Sequence, residues 1–265
     1  MLERGIALVD LGGGEQKKVL AETATAGKPV VVYFVGGSRD AVADAGGHFA
    51  ASSQDAALQA VRLGADPHAD VEPLDTHRVE EVCSRLAPHQ QFVRGLFCGG
   101  TLCDESMYSL LGISDNVWSN IQKDPGRRLD ADGPSTGHTF LDFGDDDFTN
   151  GHPHPMIDPS LRLACPVQEA EDPQVAVVVM DFVLGFGAHQ DPVGVTLPAI
   201  GQAKRIAAEA GRHLEIVGYV RGTDFDTPAL DEQVAALEAA GVTVTRSSNG
   251  TGEFAREIAR KARTA

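Results

Sequence analysis

The stretch VAVVVMDFVLGFGAHQDP, residues 175–192, decides how the rest of the chain is read. Its first nine residues are a near-continuous apolar run with one acid, Asp181, inside it. A run that apolar fits a parallel strand covered on both faces, not a strand with a wet face. It stops in Gly185-Phe186-Gly187-Ala188-His189, and Asp191 and Pro192 then supply a helix cap and a first-turn proline. A central strand, a two-glycine loop and a helix start make an anion-binding element. Glycines let backbone N–H groups turn toward a ligand, and the helix dipole favours negative charge there. The same residues also read as a tight βα turn whose glycines serve only steric needs.

Outward from this strand, the chain from residue 91 to the C-terminus alternates strands with helices. Strands are expected over 92–97, 138–143, 175–183, 214–220 and 242–245. The first ends in Cys98-Gly99-Gly100, after which Thr101 to Asp104 has a capping-box pattern opening a helix to about residue 111. Residues 115–137 read as polar loop with a helical turn over 117–121, and 144–159 as a long loop. Further helices are expected over 161–170 and 194–210, from Thr227-Pro228 to a closing Gly241, and over 253–262. Five strands alternating with helices predict an α/β fold, a doubly wound parallel sheet of flavodoxin-like order 2-1-3-4-5. That order has a switch point between strands one and three. Ligands bind at the carboxyl ends of the strands there, so residues 98–101 and 185–189 should converge.

Residues 5–11 read as a strand, with Gly12, Gly13 and Gly14 after it, a helix over 17–24, a strand over 29–35 and a helix over 54–63. Two or three strands are too few for a complete doubly wound sheet. The expected domains are therefore a partial α/β unit at 1–64, a linker and helix at 65–90, and a flavodoxin-like domain at 91–265.

The 265 residues carry a formal charge of −16, which argues against nucleic acid or anionic membrane as partner. It does not argue against a small anionic substrate in a local pocket. Four cysteines without a CxxC pair give no zinc or redox motif, and fit a cytoplasmic protein. No run reaches membrane-spanning length.

Three segments carry a resemblance: LFCGGTLCDES at 96–106, LDFGDDDFTNGHPHPMIDPSLR at 141–162 and MDFVLGFGAHQDP at 180–192. They resemble the FdrA family of succinyl-CoA synthetase-like proteins. The resemblance covers nearly all of 90–260, and residues 1–64 resemble the tail of the preceding domain in that family. It implies an enzyme: a subunit of an oxamate carbamoyltransferase in purine breakdown, moving carbamoyl between oxalurate and phosphate. An acyl-CoA synthetase subunit and a non-catalytic structural subunit are the alternatives. The superfamily handles acyl phosphates, so the implied ligand is phosphate or an acyl phosphate, with CoA or nucleotide only through partner domains. Synthetases carry a phosphorylated histidine in a glycine loop. The nearest match here is His48 in Gly46-Gly47-His48-Phe49-Ala50.

The expected phosphate- and substrate-binding residues are Gly99, Gly100, Thr101, Gly185, Gly187 and Asp146. Two helix N-termini with open amides can hold a small dianion without a lysine. His189 and His154 can shuttle a proton or bond the leaving oxygen, with Asp145 beside them. Asp145, Asp146, Asp147, His152 and His154 are also metal-type ligands, though their spacing matches no cage, so no metal is expected. Arg162 can pair with this acidic loop or with a carboxylate substrate. Cys98 and Cys103 are candidate thiol nucleophiles with no histidine tied to them.

A partial sheet leaves edges and apolar faces open, which soluble proteins cover. The chain is therefore expected to assemble with another copy or with a separate subunit. Light scattering should give a mass above that of one chain, or a pull-down should recover a stoichiometric partner. A monodisperse monomer without partners would contradict this.

Overall fold

The computed structural model describes residues 27–263 apart from 36, 131 and 132, together with 20, 21 and 25. The strand expected over 5–11, the glycines at 12–14 and most of the helix over 17–24 lie outside the described residues. The chain divides into two compact units at the junction of Pro73 and Leu74.

In the first unit, β1 (Val31–Val32) and β2 (His48–Phe49) pair in parallel, with Val31 opposite His48. Helix α1 (Arg39–Asp44) connects them and α2 (Ser53–Gly64) follows. Ser38 and Ser52 cap the two helices through their side chains. The apolar run at 29–35 alternates its faces. Val31 and Tyr33 pack with Ala50, Ala56 and Ala60, while Val30, Val32 and Phe34 pack with Val42.

The second unit is built on one six-stranded, all-parallel sheet. Its strands are β3 (Phe92–Phe97), β4 (Val117–Ser119), β5 (His138–Asp142), β6 (Val175–Val183), β7 (Glu215–Arg221) and β8 (Thr243–Thr245). Their order is β4-β5-β3-β6-β7-β8. The five expected strands stand in the expected order, and β4 adds a sixth at the edge. The helical turn expected over 117–121 is thus a strand. Val117 and Ser119 point inward and Trp118 is half-buried between them, a period of two that pairs Val117 with His138.

The helices are α3 (Thr76–Arg85), α4 (Gly100–Leu111), α5 (Asp146–Thr149), α6 (Ser160–Leu163), α7 (Cys165–Glu171), α8 (Pro192–Glu209), α9 (Leu230–Ala239) and α10 (Ser248–Ala262). The single helix expected over 161–170 is two short ones, because Pro166 opens a new helix rather than continuing the old. The last helix starts five residues before the expected 253, where Ser247 caps it by accepting from Gly250 N–H. Residues 65–90, expected as linker and helix, contribute α3 to the second unit. Arg78 and Arg85 of α3 reach the buried carboxylate of Glu215 at 3.2 and 3.5 Å.

Strand β6 is central, and eight of its nine residues are buried. Its side chains divide by parity. Val177 and Val179 face α3, α4 and α10, against Val82, Met107 and Ile258. Val178, Met180 and Phe182 face α7, α8 and α9, against Ala170, Ile200 and Leu237. The helix leaving β3 and the helix leaving β6 therefore lie on opposite faces, so the crevice between these adjacent strands is the switch point.

Gly95 marks the tightest spot in β3. A Cβ there would lie 2.4 Å from the Phe140 ring and 2.6 Å from the Phe97 ring. Both rings are buried and rigid. Gly95→Ala should destabilise the second unit by about 1–3 kcal/mol through overpacking. Urea unfolding should show an earlier midpoint with an unchanged slope.

Candidate functional site

The first turn of α4 sits at the switch point and is open. Its N-cap is Gly99, extended at φ −163°, with no side-chain cap hydrogen bond. The first amide bonded back within the helix is that of Cys103, to Gly99 O at 3.3 Å. The N–H groups of Gly100, Thr101 and Leu102 are thus the orphan donors that every helix start leaves over. Thr101 is exposed and Gly99 and Gly100 are half-buried, so the donors face the crevice mouth. No acid lies in the first turn. The expected capping box from Thr101 to Asp104 does not form, because the helix begins at Gly100 and places Thr101 inside it.

The second expected helix start is different. Asp191 caps α8, its Oδ1 accepting from Gly194 N–H at 2.9 Å and from Gln233 Nε2 at 3.1 Å. Pro192, at the first position, has no N–H to offer. The expected pair of open helix N-termini is therefore one open start, on α4, beside one closed by its own carboxylate.

The glycine loop follows β6, the strand paired with β3. Gly185 and Gly187 have φ of +118° and +84°, a region that glycine adopts and other residues resist. Ala188 N–H closes a turn on Gly185 O at 3.1 Å. His189 N–H reaches Met156 O at 2.8 Å, which ties this loop to the PHPMIDP segment. His189 Nδ1 accepts from Asp191 N–H at 3.0 Å, leaving Nε2 as the outward atom of a half-buried ring. Phe186, between the two glycines, is fully exposed.

His154 approaches from the other side. Its Nδ1 accepts from Met156 N–H at 3.2 Å, so the neutral ring carries its proton on Nε2. That Nε2 lies against Gly144. A Cβ on Gly144 would be 2.7 Å from it and 2.7 Å from Cys98 O. His154 thus rests on the end of β3, one residue before Gly99. Asp145 is occupied as a helix cap, with Oδ1 accepting from Asp147 N–H at 3.0 Å. Asp146 is exposed in the first turn of α5, and Asp147 faces Arg128 at 3.5 Å. Among the described residues no group of three His, Cys, Asp or Glu side chains is placed to share a metal ion.

Beneath the α4 start lie groups that the sequence reading did not assign. Asp181 is buried. Its Oδ1 accepts from Cys98 N–H at 2.7 Å and from Arg162 Nη1 at 2.8 Å, while its Oδ2 has no hydrogen-bond partner among the described residues. Arg162 is also buried, and Nη1 further donates to Asp181 O at 2.7 Å and Leu96 O at 3.1 Å. It is therefore bound to Asp181 rather than to the acidic loop or a substrate carboxylate. Asp142, buried at the end of β5, accepts from Gly144 N–H at 2.8 Å through Oδ1. Its Oδ2 lies 3.0 Å from where a Gly100 Cβ would be. The signals for these groups were one acid in an apolar run and one acid ending a strand.

Cys98 and Cys103 are buried, and burial pushes both thiols up, with neighbouring aspartates adding to the effect at each. Neither supplies a thiolate near neutral pH, so the thiol-nucleophile expectation does not hold. His48 stands on β2 in the first unit, exposed, its N–H donating to Val30 O at 2.8 Å.

With this geometry in hand, comparison with known proteins places the chain. The family described as CoA-ligase matches residues 96–258, well over half of the chain. The chain belongs to the CoA-ligase family. The match begins on β3 and runs into α10, so it contains both loops of the switch point. A curated relative, the uncharacterized protein YahF of Escherichia coli (strain K12), is 51% identical over 244 residues. That alignment covers 91% of this chain and 47% of YahF, so the chain spans about half the length of that relative. Two solved structures are similar at low identity. The apo form of a dinucleotide-forming acetyl-coenzyme A synthetase 1 from Ca. Korarchaeum cryptofilum has TM-score 0.38 at 15% identity, covering 98% of this chain and 54% of that one. PH0766 from Pyrococcus horikoshii OT3 has TM-score 0.40 at 11% identity, covering 97% and 52%. Among the described residues, no helix is long and apolar enough to cross a membrane.

The Arg162–Asp181 pair should dominate the stability of this CoA-ligase domain near the site. Arg162→Met should cost about 3–5 kcal/mol by leaving a buried carboxylate uncompensated. Adding Asp181→Asn to it should recover part of the loss, measured as non-additivity in urea unfolding.

Proposed function

We propose that this chain binds phosphate or an acyl phosphate at the start of α4 and serves as a subunit of an oxamate carbamoyltransferase-type enzyme. The observation that carries the reading is the uncapped first turn at Gly99, Gly100 and Thr101, set at the switch point beside a loop bent by two positive-φ glycines. Orphan amides on a helix dipole favour a small dianion, and no lysine is needed.

In the reaction direction that consumes oxalurate, a phosphate oxygen attacks the carbamoyl carbon. The carbon–nitrogen bond to the oxamate part breaks, and carbamoyl phosphate and oxamate result. The hydroxyl proton of hydrogen phosphate ends on the departing nitrogen, so charge and atoms balance. His154 Nε2–H can donate a hydrogen bond to that nitrogen while the phosphate proton moves onto it. His189, tied to the same PHPMIDP segment, is the second candidate for this role. Transfer of this kind depends on positioning and charge stabilisation more than on a protein nucleophile. A partner subunit or further domain would supply the remaining substrate contacts.

A second reading, an acyl-CoA synthetase subunit, is favoured by the CoA-ligase match over 96–258. It would take CoA and nucleotide through partner domains, and His48 would then be the residue to examine for phosphorylation.

The test mixes the chain with the proteins encoded beside it and supplies oxalurate and phosphate. Carbamoyl phosphate should form. Gly100→Val should lower turnover by about 10²–10³-fold by filling the cradle against Asp142, with the fold retained. Gly187→Val should also lower it. Space around Gly187 is open, so the effect would come from the φ of +84° and not from a clash. ATP-dependent thioester formation with CoA would replace the carbamoyltransferase with the synthetase. Absence of both activities would leave a structural subunit.

A further inference from the structure

Two buried carboxylates sit under the open start of α4. Strands β5 and β6 flank β3, and Asp142 and Asp181 are side chains on the face that α4 covers. Phe140 and Val179, two residues earlier on each strand, face the core beneath α4. Asp142 Oδ2 lies 3.0 Å from where a Gly100 Cβ would be, close to the position an anion on the Gly100 and Thr101 amides would take. That oxygen is aimed at Gly100, it belongs to a side chain 6% exposed, and no hydrogen bond engages it among the described residues. If ionised it would repel the ligand that the amides attract. If protonated it would be one more donor.

Resting on the reading of the α4 start as an anion site, we propose that Asp142 makes anion capture proton-linked. The carboxyl holds a proton while the anion is bound and donates it in a hydrogen bond from Oδ2. The ligand class is a tetrahedral oxyanion, phosphate or the phosphoryl end of an acyl phosphate. No bond of the ligand is made or broken. One proton is taken from solvent on binding and returned on release.

The surroundings favour the neutral acid. Burial pushes Asp142 up to about 6; Gly144 N–H opposes this, and Asp145, Asp181 and Asp104 add to it. The other titratable or charged groups facing it are Cys98 and Cys103 on the β3–α4 turn, and His154 on its own loop. Arg162 is committed to Asp181. A bound anion would raise Asp142 further. The sign follows: binding needs the protonated form, so affinity is full below the pKa of the free protein. It falls about tenfold per pH unit above it.

Sulfate is the suitable probe because it stays a dianion across the range, unlike phosphate. Titration calorimetry of the full chain from about pH 5 to about pH 8, in buffers of different ionisation heat, counts protons directly. Wild type should lose about tenfold in sulfate affinity per unit above pH 6 and take up close to one proton per sulfate. Asp142→Asn keeps a donor without a titration, so its affinity should be flat with pH and its proton uptake should vanish. His152→Gln, on the same loop as His154, should keep the wild-type dependence. Proton uptake that persists in Asp142→Asn, or disappears in His152→Gln instead, overturns the assignment. Wild type binding sulfate with no proton uptake overturns the linkage while keeping the anion site. No sulfate binding at any pH overturns the anion site and the linkage together. The wild-type proton count decides the linkage even if a variant fails to fold.

Discussion

The buried pair of Arg162 and Asp181 is the interaction on which the site depends. One nitrogen, Arg162 Nη1, reaches Leu96 O on β3 and both the carbonyl and the carboxylate of Asp181 on β6. The same carboxylate oxygen accepts from Cys98 N–H, the residue where β3 ends. Two charges with almost no solvent access are costly apart and tolerable together. Their pairing fixes the ends of the two central strands against each other. Where β3 ends determines where α4 begins, and that beginning is the proposed anion site.

The rest follows from the all-parallel sheet. Every strand ends on the same edge, so every strand-to-helix loop opens there. Between β3 and β6 the chain turns in opposite directions along the sheet, from β3 toward β5 and β4 and from β6 toward β7 and β8, with α4 and α8 on opposite faces, which leaves a crevice there. The chain fills that crevice from three directions. The Cys98–Gly100 turn comes from β3 and the glycine loop from β6. The PHPMIDP segment comes from beyond β5, held to the glycine loop by the bond from His189 N–H to Met156 O.

Much of this was legible in the residues, for reasons that can be named. Residues 175–183 are too evenly apolar to have a wet face, which set a covered parallel strand at the centre. The 2-1-3-4-5 order followed from strands separated by helices. What escaped depended on partners distant in sequence. Val117 to Ser119 is only three residues long, and nothing local distinguishes it from a turn until His138 lies beside it. Thr101 has the local pattern of a cap, yet Gly99 takes the position because the strand end is pinned by Asp181. The loop residues Gly185, Gly187, His154 and His189 were found because glycines and histidines stand out in a sequence. Asp142 and Asp181 were not assigned, because their role comes from strand parity and from which helix covers them. Arg162 lies next to an acidic loop in sequence and against a different acid in space.

The unequal helix starts also give the proposed site one binding side. Asp191 gives α8 its own carboxylate, so that dipole is satisfied internally and no anion is needed there. Gly99 gives α4 nothing. A glycine cap costs only a few tenths of a kcal/mol relative to serine or aspartate, so an open helix start is inexpensive to maintain. The acids near α4 stand off its axis on neighbouring strands. Asp181 is engaged by Arg162, and Asp142 Oδ2 stands near Gly100 without a hydrogen bond to it among the described residues, so on the proposed reading one proton on Asp142 leaves the amides to a ligand. An aspartate cap at position 99 would have been a fixed competitor for those amides. An aspartate on β5 is one that a single proton can remove.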